Sequence, residues 1–237
     1  MLNYQFDWHL ILNGEYRQWL LSGLWLTLKL ATVSMILSFF LGLIIAVMKM
    51  SGQRFVRAGA SVYLEVVRNT PLLVQIFFWY FGSFKLLPAA WNEWLNATNE
   101  FEFIAATMAL TIYTSAFIAE DIRSGVRAIP KEQTEAGFSS GLSFLQVMRW
   151  IILPQAVRMT IPPLVNQFLN LAKNSSLAMT IGVAELTYQA RQIESHTLKG
   201  FEAFTAATLI YLILSLVITG LMEIYNEKIL KPRGAQA

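Results

Sequence analysis

The 237-residue chain contains no cysteine. Disulfides and thiolate-ligated metals are therefore excluded, while the redox compartment stays open. Charge is scarce: 14% of residues are Asp, Glu, Lys or Arg, against about 25% in soluble globular domains. His9 and His196 are the only histidines, so neither a metal site nor a His-based catalytic unit is expected. There is no G-x-x-x-x-G-K-S/T phosphate loop, so the chain cannot itself hydrolyse ATP, and no cofactor of its own is expected. Its first 18 residues carry Asp7, Glu15 and Arg17 without a basic leader or a small-residue cleavage site. A cleaved signal peptide is not expected. No repeat, linker or second domain is visible.

What is abundant is apolar: 55% of the residues are hydrophobic. A membrane-crossing helix needs about 20 mostly apolar residues, and five segments qualify, roughly 19–48, 59–80, 103–122, 160–181 and 204–225. The first is about 30 residues, or roughly 45 Å of helix, so it must tilt or protrude. Pro162 and Pro163 open the fourth and suit a first helical turn, where their missing N–H is not needed. The expectation is an all-α integral membrane protein. It has an outer N-terminal segment 1–18, a membrane domain 19–227 containing the loop 123–158, and a tail 228–237.

Five spans place the termini on opposite sides. With the N-terminus outside, eleven basic residues fall in the inner segments and four (Arg17, Lys85, Arg191, Lys199) in the outer ones. This positive-inside bias puts the C-terminus and the loop 123–158 in the cytoplasm. The net charge of +3 thus reflects membrane topology rather than a nucleic-acid partner. The outer segment 84–102, with Trp91 and Trp94, reads either as an interfacial hairpin or as a plain connection.

Charges inside spans are expensive and face a protein interior or a water-filled path. Lys29 reads as structural. Arg68 lies three residues after Glu65, so the two can pair on one helix face; alternatively Arg68 lines a path, and the following Asn69-Thr70-Pro71 lets the helix break. Lys173 with Asn174, Ser175 and Ser176 forms a second polar cluster, which either bonds neighbouring helices or faces the path. Cationic groups there would ease passage of a carboxylate through low dielectric.

Residues 133–158 form a polar, glycine-broken segment between apolar spans. Its alanines and the 144–151 stretch favour helix, Gly141 permits a sharp bend, and Pro154 punctuates the far side. Glu135 reads also as a first-turn acid that complements the helix dipole. Gly137 and Gly141 match G-x-x-x-G, but outside an apolar span this signals no helix dimer.

The spacing from Glu135-Ala136 to Gly141, then Ile151, Leu153 and Pro154, resembles the cytoplasmic "EAA" loop of permease subunits in ATP-binding cassette importers. Three more segments in order are similar to the polar amino acid permeases: EVVRNTPLLVQIFFWY (65–80), AEDIRSGVRAIPKEQTEAG (119–137) and KNSSLAMTIGVAELTYQAR (173–191). The FFWY run and FEAFTAATL (201–209) look most like the glutamate/aspartate importers. The resemblance implies a type I importer permease fold in the bacterial inner membrane. It implies Glu135, Ala136, Gly141, Leu142 and Ser143 as residues docking an ATPase, and a substrate path along Arg68, Asn69, Thr70, Gln75, Lys173, Asn174, Ser175 and Ser176. The implied partners are ATP-consuming ATPase subunits, a second and different permease chain, a periplasmic amino-acid-binding protein and the bilayer. Gly137 departs from the family's usual alanine and is expected to loosen the first helix of the loop. The competing expectation, an ATPase-independent ion channel or proton-coupled carrier, leaves the loop unexplained and lacks a carboxylate relay. A scaffold without transport does not account for the mid-span charges.

Overall fold

The computed structural model describes residues 6–12, 14–82, 93, 98 and 100–225, and among them there is helix but no strand. The helices are α1 (His9–Leu12), α2 (Glu15–Met50), α3 (Arg54–Arg68), α4 (Leu72–Phe77), α5 (Phe101–Arg127), α6 (Lys131–Ser139), α7 (Phe144–Val147), α8 (Leu153–Asn174), α9 (Leu186–Thr197) and α10 (Gly200–Tyr225). A π-turn extends α4 over Phe78–Gly82, another joins α7 to α8 over Met148–Ile152, and a 3-10 turn Ser175–Ile181 follows α8. The expected outer segment around Trp91 and Trp94 and the tail 228–237 lie outside the described residues.

Among the described residues, α2, α5 and α10 are long and apolar enough to cross a membrane. They correspond to the first, third and fifth expected spans. The second and fourth are discontinuous. Segment 59–80 divides into α3 and α4 at Asn69-Thr70-Pro71, and segment 160–181 ends in the 3-10 turn. One expectation is overturned: Pro162 and Pro163 lie inside α8, not in its first turn. The helix starts at Leu153 because the π-turn before it carries the chain over from α7. Neither proline can supply the i→i−4 donor, so α8 crosses its own middle without those two bonds.

The chain folds as two compact units. The first comprises Met1–Met35, Pro71–Leu110 and Leu169–Ile218. Its core gathers Leu20, Leu186, Ala190, Ile193, Ala203 and Ala207. The three from α9 are spaced i, i+4, i+7, which makes a helix with one apolar stripe; that helix was not among the expected elements, although its pattern is readable. Gly23 lets α2 approach α9 closely, since a Cβ there would sit 2.8 Å from the Leu186 Cα.

The second unit comprises Ile36–Thr70, Thr111–Phe168 and Thr219–Ala237. One cluster packs Ile45, Ala46, Ala60, Leu64, Val67, Ala116 and Ala119, where alanines let helix backbones come near. Tyr63 Oη donates to the Ile112 carbonyl at 3.0 Å and meets Ser115 Oγ at 2.7 Å, so each hydroxyl has a partner within the protein. By contrast, the most apolar stretch of α10 is only 6% buried, as for a helix whose solvent is lipid.

Candidate functional site

The first polar break follows α3. Thr70 precedes proline, which disfavours helical backbone, and Pro71 has no N–H to continue the ladder. The freed carbonyls are met locally. Asn69 N–H and Nδ2 both donate to the Glu65 carbonyl, at 3.2 and 2.7 Å, and Thr70 Oγ1 donates to the Val66 carbonyl at 2.7 Å. Asn69 Nδ2 also reaches Glu65 Oε2 at 3.1 Å. The Glu65–Arg68 pair, one of the two alternatives for Arg68, is not formed. Because the helix ends at Arg68, Asn69 folds back and takes Glu65, while the Arg68 guanidinium lies 5.6 Å from the Phe117 ring centre. Arg68 and Asn69 are exposed and Thr70 is half-buried. Asp121, within electrostatic reach of Arg68, accepts from Gln167 Nε2 at 2.8 Å, and Arg123 pairs with Glu120. Gln167 was not anticipated as a polar neighbour; a glutamine inside an apolar segment was the available signal.

Gln75 and the Lys173–Ser176 cluster belong to the other unit. There α4 packs on the 3-10 turn, and Gln75 is buried in α4. Ser175 is fully buried and donates to the Ala172 carbonyl at 2.8 Å; Ser176 donates to the Lys173 carbonyl at 2.7 Å. Lys173 is exposed and Asn174 half-buried. The serines are thus committed to their own backbone, as short hydroxyls in tightening turns often are. Beyond the 3-10 turn, the fully buried Glu185 caps α9, accepting from Thr187 and Tyr188 N–H at 3.0 and 2.8 Å and from Tyr211 Oη at 2.8 Å. Burial holds its carboxyl above the usual range in spite of these donors,.

The segment 126–158 is a helix–turn–helix with its own core of Ile129, Val147, Ile152 and Ala156, flanked by Leu142 and Ile151. α6 ends in a paired closure: Gly141, at φ +78°, donates to the Phe138 carbonyl at 2.9 Å, and Leu142 donates to the Gly137 carbonyl at 3.1 Å. This is a Schellman ending, and the apolar residue after the glycine packs back as that motif requires. Ser143 N–H then donates to Gln146 Oε1 at 2.8 Å to start α7, and Gln155 Nε2 ties α8 to Gln133 Oε1 at 2.6 Å.

Two expectations change here. Gly137 does not merely loosen α6: a Cβ on it would stand 2.8 Å from Val147 Cγ2 and 3.1 Å from Ile151 Cδ1, so the missing methyl is the space into which α7 packs. Glu135 is not a first-turn acid either, because α6 starts at Lys131 and Glu132 holds that place. Glu135, Ala136, Gly141 and Ser143 are exposed and Leu142 is half-buried against the core. Beside them, Phe138, Phe144, Leu145 and Trp150 are 46, 63, 76 and 60% exposed. These apolar side chains were not anticipated as part of the site, and their place on an otherwise polar, solvent-facing segment was the signal.

Similarity to known proteins gives the family. Residues 38–231 match the family described as "Binding-protein-dependent transport system inner membrane component". The chain is 31% identical over 223 residues to the "Glutamate/aspartate import permease protein GltJ" of Escherichia coli (strain K12), covering 93% of this chain and 91% of that one. It is 42% identical over 199 residues to the "Probable glutamine ABC transporter permease protein GlnM" of Bacillus subtilis (strain 168), covering 84% and 88%. A solved structure titled "Crystal structure of an amino acid ABC transporter with histidines" superposes with a TM-score of 0.85 at 34% identity, covering 95% of this chain and 100% of that one. The chain therefore belongs to the family of binding-protein-dependent transport system inner membrane components, as a multi-pass protein of the bacterial inner membrane.

Proposed function

We propose that the chain is the permease subunit of an ATP-driven importer of acidic amino acids, glutamate and aspartate. The observation that carries this reading is the braced 126–158 segment, which has its own core, a Schellman ending and an exposed apolar edge at Phe138, Phe144 and Leu145. A segment stiff enough to transmit a push and apolar enough to be covered suits docking on an ATPase. Closure of two ATPase subunits on ATP would drive Glu135, Ala136, Gly141, Leu142 and Ser143 as one body and switch the access of the path. The other partners are a second, different permease chain and a periplasmic binding protein that delivers substrate. The chain contributes helices and charges and hydrolyses nothing itself.

In this reading five spans cross the bilayer with the N-terminus outside, the second and fourth as broken helices, and residues 1–18, 19–227 and 228–237 are the outer segment, membrane domain and cytoplasmic tail. Arg68 and Lys173 supply the cationic field for substrate carboxylates, and Asn69, Thr70, Gln75, Asn174, Ser175 and Ser176 shape the path around them. The reading is supported by the relatives' named substrates and by helix breaks of the kind that frame transporter sites.

Uptake of labelled glutamate by the complex in proteoliposomes, competed by aspartate or glutamine, is the direct test. ATP-dependent uptake competed by aspartate is expected; transport that persists without the ATPase would indicate a carrier or channel instead. Preferential competition by glutamine would support the second reading, glutamine import, which the 42% identical relative favours. Because the chain has no cysteine, single cysteines at Ser139 and Asn96 report topology cleanly. The first should label only from the cytoplasm and the second only from outside, and the reverse pattern refutes the orientation.

A further inference from the structure

The first unit contains a charged cavity that the path described above does not use. It measures about 210 Å³ and is lined by Leu26 and Lys29 of α2, Glu100, Glu102 and Phe103 at the start of α5, and the Gly182–Ala184 backbone. Sites for drug-sized ligands run to about 300–1,000 Å³, so this one suits a single small molecule.

Its charges are arranged unusually. Lys29 Nζ lies 4.7 Å from the Phe103 ring centre. A ring face steadies an ammonium but offers its three N–H groups no lone-pair acceptor, and among the described residues no oxygen accepts from Lys29. Nor do Glu100 and Glu102 form an ion pair with it, although all three line the same cavity. Gly182, at φ +94°, brings the backbone near the Glu102 stem, where a Cβ would come within 3.7 Å of Glu102 Cγ. Lys29 and Glu100 are exposed and Glu102 is half-buried, so all three charges are open to an incoming molecule. Here a cation and two carboxylates share a cavity without cancelling one another, which is the complement of a small molecule carrying one charge of each sign.

We propose that this cavity is a second binding site, for the zwitterionic head of a free α-amino acid. Lys29 takes the α-carboxylate, Glu102 takes the α-ammonium with Glu100 at the mouth, and the ligand side chain points out of the opening. The site depends on the importer reading only for the choice of probe.

The test is chemical protection of Lys29 in the full complex, held in phosphatidylglycerol nanodiscs so that the lipid carries no amine. An acetylating ester is added, and Lys29 modification is followed by peptide mass spectrometry against glutamate, glutamine and glutarate, which lacks the ammonium. Glutamate and glutamine should both slow acetylation, and glutarate should not. Glu102→Gln, compared with its own unliganded acetylation rate, should raise the half-protecting concentration roughly tenfold or more, the expected loss for one charged contact. Unaltered acetylation with either amino acid at saturation, equal protection by glutarate, or protection only when phosphatidylethanolamine is added would each overturn the site. ATP-dependent uptake by the same preparation reports separately on the importer reading, because protection requires no turnover.

Discussion

At Gly141 the chain reverses through backbone geometry: a left-handed residue, two returning N–H bonds and a small core behind them. At Asn69–Pro71 the interruption is finished by side chains, with an amide and a hydroxyl folding back onto the carbonyls that proline leaves free. The start of α9 is a second case of that kind, with the Glu185 carboxylate receiving two backbone N–H groups and a tyrosine hydroxyl. A junction made by the backbone holds one geometry regardless of its surroundings. A junction made by side chains keeps polar groups near the membrane interior that can exchange partners when water or a ligand arrives. In the importer reading proposed above, the first kind serves force transmission and the second serves passage.

The largest expected effect is on a side-chain junction. Glu185→Ala strips three half-buried donors of their buried acceptor, at about 1 kcal/mol or more each, so the melting temperature of the purified complex should fall sharply, whereas Glu185→Gln keeps an acceptor oxygen and should fall less. Equal melting of the two variants would deny that the cap holds α9. Next come the charges beside the breaks. Arg68→Gln and Lys173→Gln should each lose about 1.5–3 kcal/mol of contact to a substrate carboxylate. That would raise the substrate concentration for half-maximal ATPase stimulation while the complex stays assembled and the binding protein keeps its affinity. If Glu65→Gln restored transport to either variant, the charge would serve packing instead.

The backbone junction should respond more mildly and with a distinct signature. Gly141→Val places a β-branched residue at φ +78°, a strain of about 1–2 kcal/mol or more, and ATPase subunits should co-purify less well. Gly141→Asn tolerates that conformation and should retain them. A wild-type result for Val would remove the turn from coupling. Asn69→Ala should cost about 1 kcal/mol, read as a small drop in melting temperature with ATPase retention unchanged. The smallest effect is a pH slope. The folded state binds the Glu185 proton more tightly than the unfolded one. Its stabilising contribution is therefore complete below the ordinary carboxyl pKa and declines as pH rises through the raised value. Glu185→Gln should abolish that slope in melting scans.

Much of the architecture was legible because apolar length and turn chemistry are local. The long helices follow from composition, the break from Asn69-Thr70-Pro71, and the turn from Gly141. The failures share a cause in tertiary context. Pro162 and Pro163 read locally as a helix start, yet a helix already running from Leu153 carries them inside. The Glu65–Arg68 spacing permits a pair, yet Asn69 sits closer to Glu65 and takes it. α9 was overlooked because a search for membrane spans passes over a short amphipathic helix. The exposed Phe138, Phe144 and Leu145 became visible only once Val147 and Ile152 were seen to occupy the core on the other face.

The hollow at Gly137 also bears on exchange of parts between relatives. Because Val147 fills the space of the missing methyl group, positions 137 and 147 act as a matched lock, with one residue's volume borrowed by the other. A chimera that imports the alanine of another permease at 137 without trimming 147 would splay α6 from α7 and mispresent its apolar edge to any ATPase. Transplanting the two positions together should keep the segment interchangeable.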